Sequence, residues 1–110
     1  MSELTEKHCL ACEAGIPPMR EDAIKEHLSQ LTDWQLNAEG TIITRVFDFT
    51  NFSKTMAFVN AVAWIAQQEK HHPDMEVSYN RCVVNYSTHA IMGLTENDFI
   101  CAAKVDALFS

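Results

Sequence analysis

The middle of the chain contains a segment that predicts a helix with apolar side chains on almost every side. These side chains form two neighbouring stripes, Phe52, Met56, Val59, Ala63 and Ala66 on one and Phe58, Val62 and Ile65 on the other. A helix of this kind is either central to a large core or covered on both sides. Because a chain of 110 residues has little core to spare, we expect a second copy to cover part of it. The sequence therefore predicts a homo-oligomer.

This helix has sequence signals at both ends. Thr50 or Asn51 can cap its first turn, because either side chain accepts hydrogen bonds from free backbone N–H groups. Pro73 predicts that the helix stops at about His72. A histidine such as His71, in the last turn, would feel the negative end of the helix dipole, which favours the protonated ring.

The segments on either side of this helix predict an α+β fold. The two amphipathic segments that predict further helices run from Arg20 through Leu31 and from the capping box at 95–98 to Phe109. The segments that predict strands form two hairpins, Trp34–Leu36 with Thr41–Phe49 and Glu76–Tyr79 with Cys82–Ser87. The order α-β-β-α-β-β-α predicts one domain over residues 19–110, with a four-stranded antiparallel sheet and helices on one face. Residues 1–18 are predicted to be an N-terminal arm.

Composition narrows the classes of partner. A net charge of −7 and a pI near 5.0 argue against nucleic acid, because binding phosphates requires clustered Lys and Arg. No apolar run approaches the length of a membrane-spanning helix, and none near Met1 is typical of a signal peptide. We therefore expect a cytoplasmic protein, without a membrane partner, in which the four cysteines are reduced.

A Cys-x-x-Cys motif lies in the arm at Cys9 and Cys12. A zinc site would call for a second such pair, but Cys82 and Cys101 are too far apart in the sequence. A redox motif normally opens a helix after a strand, which the arm does not offer. We expect incidental thiols here, with metal or redox use as alternatives, and small core residues at Cys82 and Cys101.

Histidines are the residues most suited to catalysis. His71 and His72 precede Pro73, and His89 follows the last predicted strand. A ring with an ordinary pKa near 6.5 gives or takes a proton readily at neutral pH. Helix and strand together can bring all three rings to one cleft, although residues before a helix-stopping proline often lie simply in solvent.

The histidines belong to a larger spaced set within residues 67–98. The set consists of His71-His72-Pro73, Tyr79, Ser87-Thr88-His89, Gly93-Leu94 and Asn97-Asp98. In residue types and spacing it resembles the pterin-4a-carbinolamine dehydratase family, and the segment from Asn97 to Lys104 resembles bacterial members in particular. The predicted element order and length suit that family over roughly residues 19–109.

The resemblance implies that a 4a-hydroxytetrahydropterin is dehydrated to a quinonoid dihydropterin, which recycles the cofactor of aromatic amino-acid hydroxylases. The family positions matching His71 and His89 are the acid and base, and His72 helps to bind the pterin, which makes all three candidate catalytic residues. Further substrate-binding candidates by the same resemblance are Gln67, Ser87, Thr88 and Asp98. The resemblance implies neither a metal nor a cofactor. It implies a tetramer made of two dimers.

Gln67 departs from the family pattern. Members commonly carry a carboxylate four residues before the first histidine, on the same helix face. Gln67 can form hydrogen bonds there but carries no charge. Glu69, about 200° round a continuous helix, is not expected to replace the carboxylate.

Two other functions remain open from the sequence. Animal relatives also serve as partners of a homeodomain transcription factor, so the chain is alternatively a dimerising binding module with incidental catalysis. A metal site built from the three histidines with Asp98 is the other possibility, although the side chains of adjacent histidines diverge.

Overall fold

The computed structural model describes residues 3–9 and 17–109. The helices are α1 (Glu21–Leu28), α2 (Phe52–Glu69) and α3 (Glu96–Asp106). The strands are β1 (Gln35–Leu36), β2 (Ile43–Asp48), β3 (Asp74–Val77) and β4 (Arg81–Tyr86). Short 3-10 turns lie at Glu3–Glu6, His89–Ile91 and Ala107–Phe109. The predicted order α-β-β-α-β-β-α is confirmed, with α1 and α3 shorter than expected.

The four strands form one antiparallel sheet in the order β1-β2-β4-β3. Ile43 pairs with Tyr86 and Phe47 with Cys82, so these four side chains point to the same face. All four are buried. On the opposite face Val46 is 46% exposed. The helices therefore cover one face of the sheet, as predicted.

The start of α2 is as predicted, but its end is not. The Asn51 side chain accepts a hydrogen bond from the backbone N–H of Lys54 at 2.9 Å and caps the helix. The helix ends at Glu69, because Lys70 adopts a left-handed conformation with φ 54°. The prediction that the helix reaches about His72 is therefore wrong. His71 lies beyond the last turn, so the expected effect of the helix dipole does not apply to it.

The described part of the N-terminal arm packs against α3. Leu4 is 2% exposed and belongs to the hydrophobic core. The Lys104 ammonium donates to the backbone carbonyl of Thr5 at 3.0 Å. The rest of the predicted arm, residues 1–2 and 10–16, lies outside the described residues and includes Cys12.

One side of α2 packs on the core and the other faces outward. Phe58 and Val62 are buried, whereas Phe52 is 50% and Trp64 64% exposed. These exposed apolar side chains are compatible with the predicted homo-oligomer, which stays a prediction. None of the helices within residues 3–9 and 17–109 is both long and apolar enough to span a membrane.

Candidate active site

A cleft of about 420 Å³ opens where the end of α2, the loop after β4, the start of α3 and the N-terminal segment meet. This volume lies in the range of small-molecule binding sites. The residues that line it are Cys9, Glu69, Lys70, His71, His72, Ser87, Thr88, His89, Ala90 and Asn97. The three predicted histidines and the predicted Ser87 and Thr88 therefore share one cleft.

His71 is held by a buried carboxylate. Its Nε2 lies 2.6 Å from Oδ1 of Asp98, whose side chain is fully buried. The other oxygen of Asp98 accepts hydrogen bonds from the Thr88 hydroxyl at 2.8 Å and the Thr95 backbone N–H at 3.0 Å. The bond to Thr95 is part of the predicted capping box of α3. Since an ionised carboxylate only accepts, this network assigns the ring proton of neutral His71 to Nε2.

Tyr86 fixes the plane of the same ring. The His71 and Tyr86 rings stack with centroids 6.0 Å apart and planes 7° apart. Tyr86 is fully buried, and burial raises the pKa of its hydroxyl, so the ring that supports His71 stays neutral. His71 is thus fixed both at one edge and on one face.

His72 and His89 stack on each other, with ring centroids 5.8 Å apart and planes 22° apart. Nε2 of His89 lies 3.5 Å from a carboxylate oxygen of Asp74, and both side chains are more than half exposed. His89 is therefore open to solvent and to a ligand, in contrast to His71, whose side chain is 13% exposed.

Glu69 also lines the cleft, although the sequence predicted only that it would not replace the family carboxylate at position 67 and did not indicate it as a site residue. Glu69 is the last residue of α2, and the chain leaves the helix directly after it, so His71 does not follow the helical path from Gln67 that was predicted. The carboxylate accepts hydrogen bonds from the Cys9 backbone N–H at 2.7 Å and from Nδ1 of His8 at 3.0 Å. Burial alone would raise the pKa of Glu69. The two hydrogen bonds and the charge of Lys104 outweigh it and hold the pKa below its ordinary value, so Glu69 is ionised at neutral pH.

Gln67 is exposed and lies outside this cleft. It lines a shallower groove next to the cleft, together with His71, His72 and Met75. Among the residues that line the cleft, the sequence reasoning missed Cys9, Glu69, Lys70, Ala90 and Asn97 as site residues. Of these, only Glu69 carried a sequence signal, which is its acidic side chain two residues before His71.

Within the described part of the chain, no three His, Cys, Asp or Glu residues are arranged to hold a metal ion. Cys9, Cys82 and Cys101 carry free thiols. Cys82 and Cys101 are fully buried, as predicted for core residues.

Comparison with known proteins identifies the family. The model of the family described as pterin 4 alpha carbinolamine dehydratase matches residues 17–108. A protein of Nitrosomonas eutropha is 56% identical over 107 residues, 96% of this chain and 93% of its own length. A protein of Legionella pneumophila is 55% identical over 108 residues, 97% of this chain and 96% of its own. Both carry the name "Putative pterin-4-alpha-carbinolamine dehydratase".

Two solved structures share the fold. The transcriptional coactivator/pterin dehydratase of Brucella melitensis superposes with a TM-score of 0.80 at 34% identity, covering 84% of this chain and 99% of that one. A pterin dehydratase-like RuBisCO assembly factor of the alpha-carboxysome superposes with a TM-score of 0.61 at 23% identity, covering 70% of this chain and 89% of that one. It is similar in fold alone. The chain belongs to the pterin-4a-carbinolamine dehydratase family, a family of hydro-lyases.

Proposed function

We propose that the chain dehydrates 4a-hydroxytetrahydropterin to quinonoid dihydropterin by acid/base catalysis with histidines. The observation that carries this proposal is the joining of His71, His72 and His89 in one cleft, with His71 bonded to the buried Asp98. Family membership supplies the class of reaction.

The reaction requires two proton transfers. A base removes the proton from N5 of the pterin, and an acid protonates the hydroxyl on C4a. The C4a–O bond breaks, a C4a=N5 double bond forms, and water leaves. Conjugation in the pterin ring stabilises the cation-like intermediate, so neither a metal nor a covalent nucleophile is required.

His71 suits the role of the base. With its proton on Nε2 facing Asp98, Nδ1 keeps the lone pair that accepts the proton from N5. His89 then supplies the acid, and the carboxylate of Asp74 provides a counter-charge for its imidazolium form. Asp98 is fully buried, so in this mechanism it positions His71 rather than contacting the pterin as first predicted.

Other cleft residues bind the substrate. The pterin carries N–H groups on its ring and its amino substituent, and an ionised carboxylate such as Glu69 accepts hydrogen bonds from such groups. His72 offers a ring face next to His89, and Ser87 offers a hydroxyl group. The Thr88 hydroxyl is buried and already donates to Asp98, so Thr88 helps to position His71 rather than binding the pterin as the resemblance implied. We assign Gln67 to the rim, where it reaches only parts of the pterin that extend from the cleft.

We further propose that this reaction recycles the pterin cofactor of an aromatic amino-acid hydroxylase in the cytoplasm, and that the protein works as a homo-oligomer. The outward Phe52 and Trp64 on α2 support the oligomer. They also support the alternative of a binding module, which needs an apolar docking surface but has no use for three histidines in one cleft.

The test is turnover of 4a-hydroxytetrahydropterin generated in situ by a pterin-dependent hydroxylase. We expect the protein to accelerate loss of the carbinolamine at catalytic concentration, and prolonged dialysis against a strong chelator to leave that rate unchanged. A rate equal to the protein-free reaction would refute the enzyme. Activity that chelation removes and zinc restores would refute the metal-free mechanism.

A further inference from the structure

Two free thiols meet directly behind the cleft. Sγ of Cys9, on the N-terminal segment, lies 3.5 Å from Sγ of Cys101 on α3, although 92 positions separate them in the sequence. Cys9 lines the cleft and is partly exposed, whereas Cys101 is fully buried. The proposed dehydration uses neither thiol.

We propose that Cys9 and Cys101 are a redox modification site, at which a peroxide such as hydrogen peroxide produces a reversible disulfide between the N-terminal segment and α3. This inference goes beyond the dehydratase activity and does not depend on it. Disulfides of this kind in reducing compartments are typically transient and redox-sensing.

The geometry requires only a small movement. A disulfide has a sulfur–sulfur distance of about 2.05 Å, so the two atoms must approach by about 1.5 Å. Cys9 lies in a stretch without regular secondary structure, after the 3-10 turn at Glu3–Glu6, and therefore has more freedom than a helical residue. Its thiol also lies 3.7 Å from the carbonyl of Asn97, one turn before Cys101 on the same face of α3.

The chemistry balances with one peroxide per disulfide. The Cys9 thiolate, reached through the cleft, attacks the O–O bond and becomes a sulfenic acid as the first water leaves. The Cys101 sulfur then displaces the sulfenic oxygen, which departs as the second water. Two thiols and one hydrogen peroxide thus give one disulfide and two waters. The hydrogen bond with Cys9 and burial raise the pKa of Cys101, which assigns the first attack to Cys9 and the resolving step to Cys101.

The disulfide would join two parts of the cleft wall. The backbone N–H of Cys9 holds Glu69, and the thiol of Cys101 lies 3.9 Å from the carbonyl of His71. Because the N-terminal segment is already seated against α3, the covalent link preserves this arrangement and reduces the freedom of the unfolded chain. We therefore expect the oxidised protein to unfold at a higher temperature than the reduced protein.

The test uses a chain carrying Cys12→Ser and Cys82→Ala, in which Cys9 and Cys101 are the remaining thiols. Hydrogen peroxide should remove both free thiols, lower the intact mass by about 2 Da, as expected for the loss of two hydrogens, and link the tryptic peptides 8–20 and 82–104. Dithiothreitol should restore the thiols. The melting temperature should rise on oxidation and fall back on reduction. Adding Cys101→Ala is the matched control and should abolish both the peptide link and the rise.

The unsubstituted protein provides the second measurement, independent of how the variant folds. Tandem mass spectrometry of its linked peptides should place the bond between Cys9 and Cys101. Three outcomes would overturn the proposal: a disulfide between Cys9 and Cys12, thiols that the peroxide leaves unchanged, or thiols that it converts to sulfonic acids. A protein without dehydratase activity could still pass both measurements, and an active dehydratase could fail them.

Discussion

Replacing Asp98 by Asn separates its positioning role from its structural one. Asn has nearly the same shape, so its carbonyl can keep the hydrogen bonds from the Thr88 hydroxyl and the Thr95 N–H. Its amide group would then face Nε2 of His71, where the carboxylate oxygen lay at 2.6 Å. An amide donates at that point. His71 must therefore accept on Nε2 and carry its proton on Nδ1, the nitrogen proposed to act as the base.

The expected magnitudes differ for stability and for catalysis. All three contacts keep a partner, but they become hydrogen bonds to a neutral group, so we expect a loss of about 1–3 kcal/mol in unfolding free energy. The wrong tautomer removes the general base, which typically costs about 10²–10⁴ in turnover. At about 1.4 kcal/mol per factor of ten, this corresponds to roughly 3–6 kcal/mol of activation free energy.

Asp106 on the same helix provides the matched control. Its carboxylate also accepts three hydrogen bonds, from the Trp34 indole at 2.8 Å, the Arg45 guanidinium at 2.6 Å and the Thr32 backbone N–H at 3.0 Å. It does not line the cleft. Asp106→Asn should therefore cost comparable stability in urea unfolding while leaving carbinolamine dehydration unchanged.

The outcome that refutes this reasoning is specific. If Asp98→Asn folds and turns over within about threefold of the parent, the tautomer of His71 does not limit the reaction. If both Asn variants lose activity in proportion to lost stability, Asp98 is only a structural residue.

Three further predictions concern the carboxylates and the assembly. Gln67→Glu should leave the pH–rate profile in place, because the side chain at position 67 is exposed and solvent screens its charge from the neighbouring histidines. Glu69→Gln should raise the Michaelis constant, and a shifted profile for Gln67→Glu would contradict this account. The pKa values of Glu69 and Glu96 are lowered in the folded state, so their stabilisation is present above the unfolded value of about 4.3 and is lost as pH falls through the folded values. The urea concentration at the unfolding midpoint should therefore decrease as the pH is lowered below about 4.3, and it should decrease less steeply in Glu69→Gln. If the two proteins gave parallel curves of midpoint against pH, Glu69 would not contribute this stabilisation. Sedimentation at micromolar concentration should show an oligomer that Trp64→Glu weakens, and a 12.4 kDa monomer would contradict it.

The sequence predicted the elements better than their ends. Alternation and helical periodicity give the order of helices and strands, and Asn51 and the 95–98 capping box mark helix starts with side chains of known function. The end of α2 has no such signal, since Lys70 takes the left-handed position that usually belongs to Gly or Asn. The nearest sequence signal, Pro73, therefore placed the end too late.

That error determined what could be predicted of the site. The predicted helix and strand could bring the three histidines to one cleft, and the family resemblance added Ser87 and Thr88; all five line the cleft in the structure. Glu69 was not predicted as a site residue, because directions were calculated for a helix that continues to about His72, whereas the chain turns away after Glu69 and carries His71 out of the helical path. Cys9 could not be placed at all, because a contact across 92 positions between an arm and α3 leaves no periodic pattern.

The most direct test of the central claim is the rate of carbinolamine dehydration by the His71→Ala and His89→Ala variants. His27→Ala is the matched control, since His27 contacts Ala23 and Glu96 away from the cleft. We predict that each cleft variant loses about 10²–10⁴ in turnover, while the His27 variant keeps the parent rate. Near-normal rates in both cleft variants would show that His71 and His89 are not the acid and base.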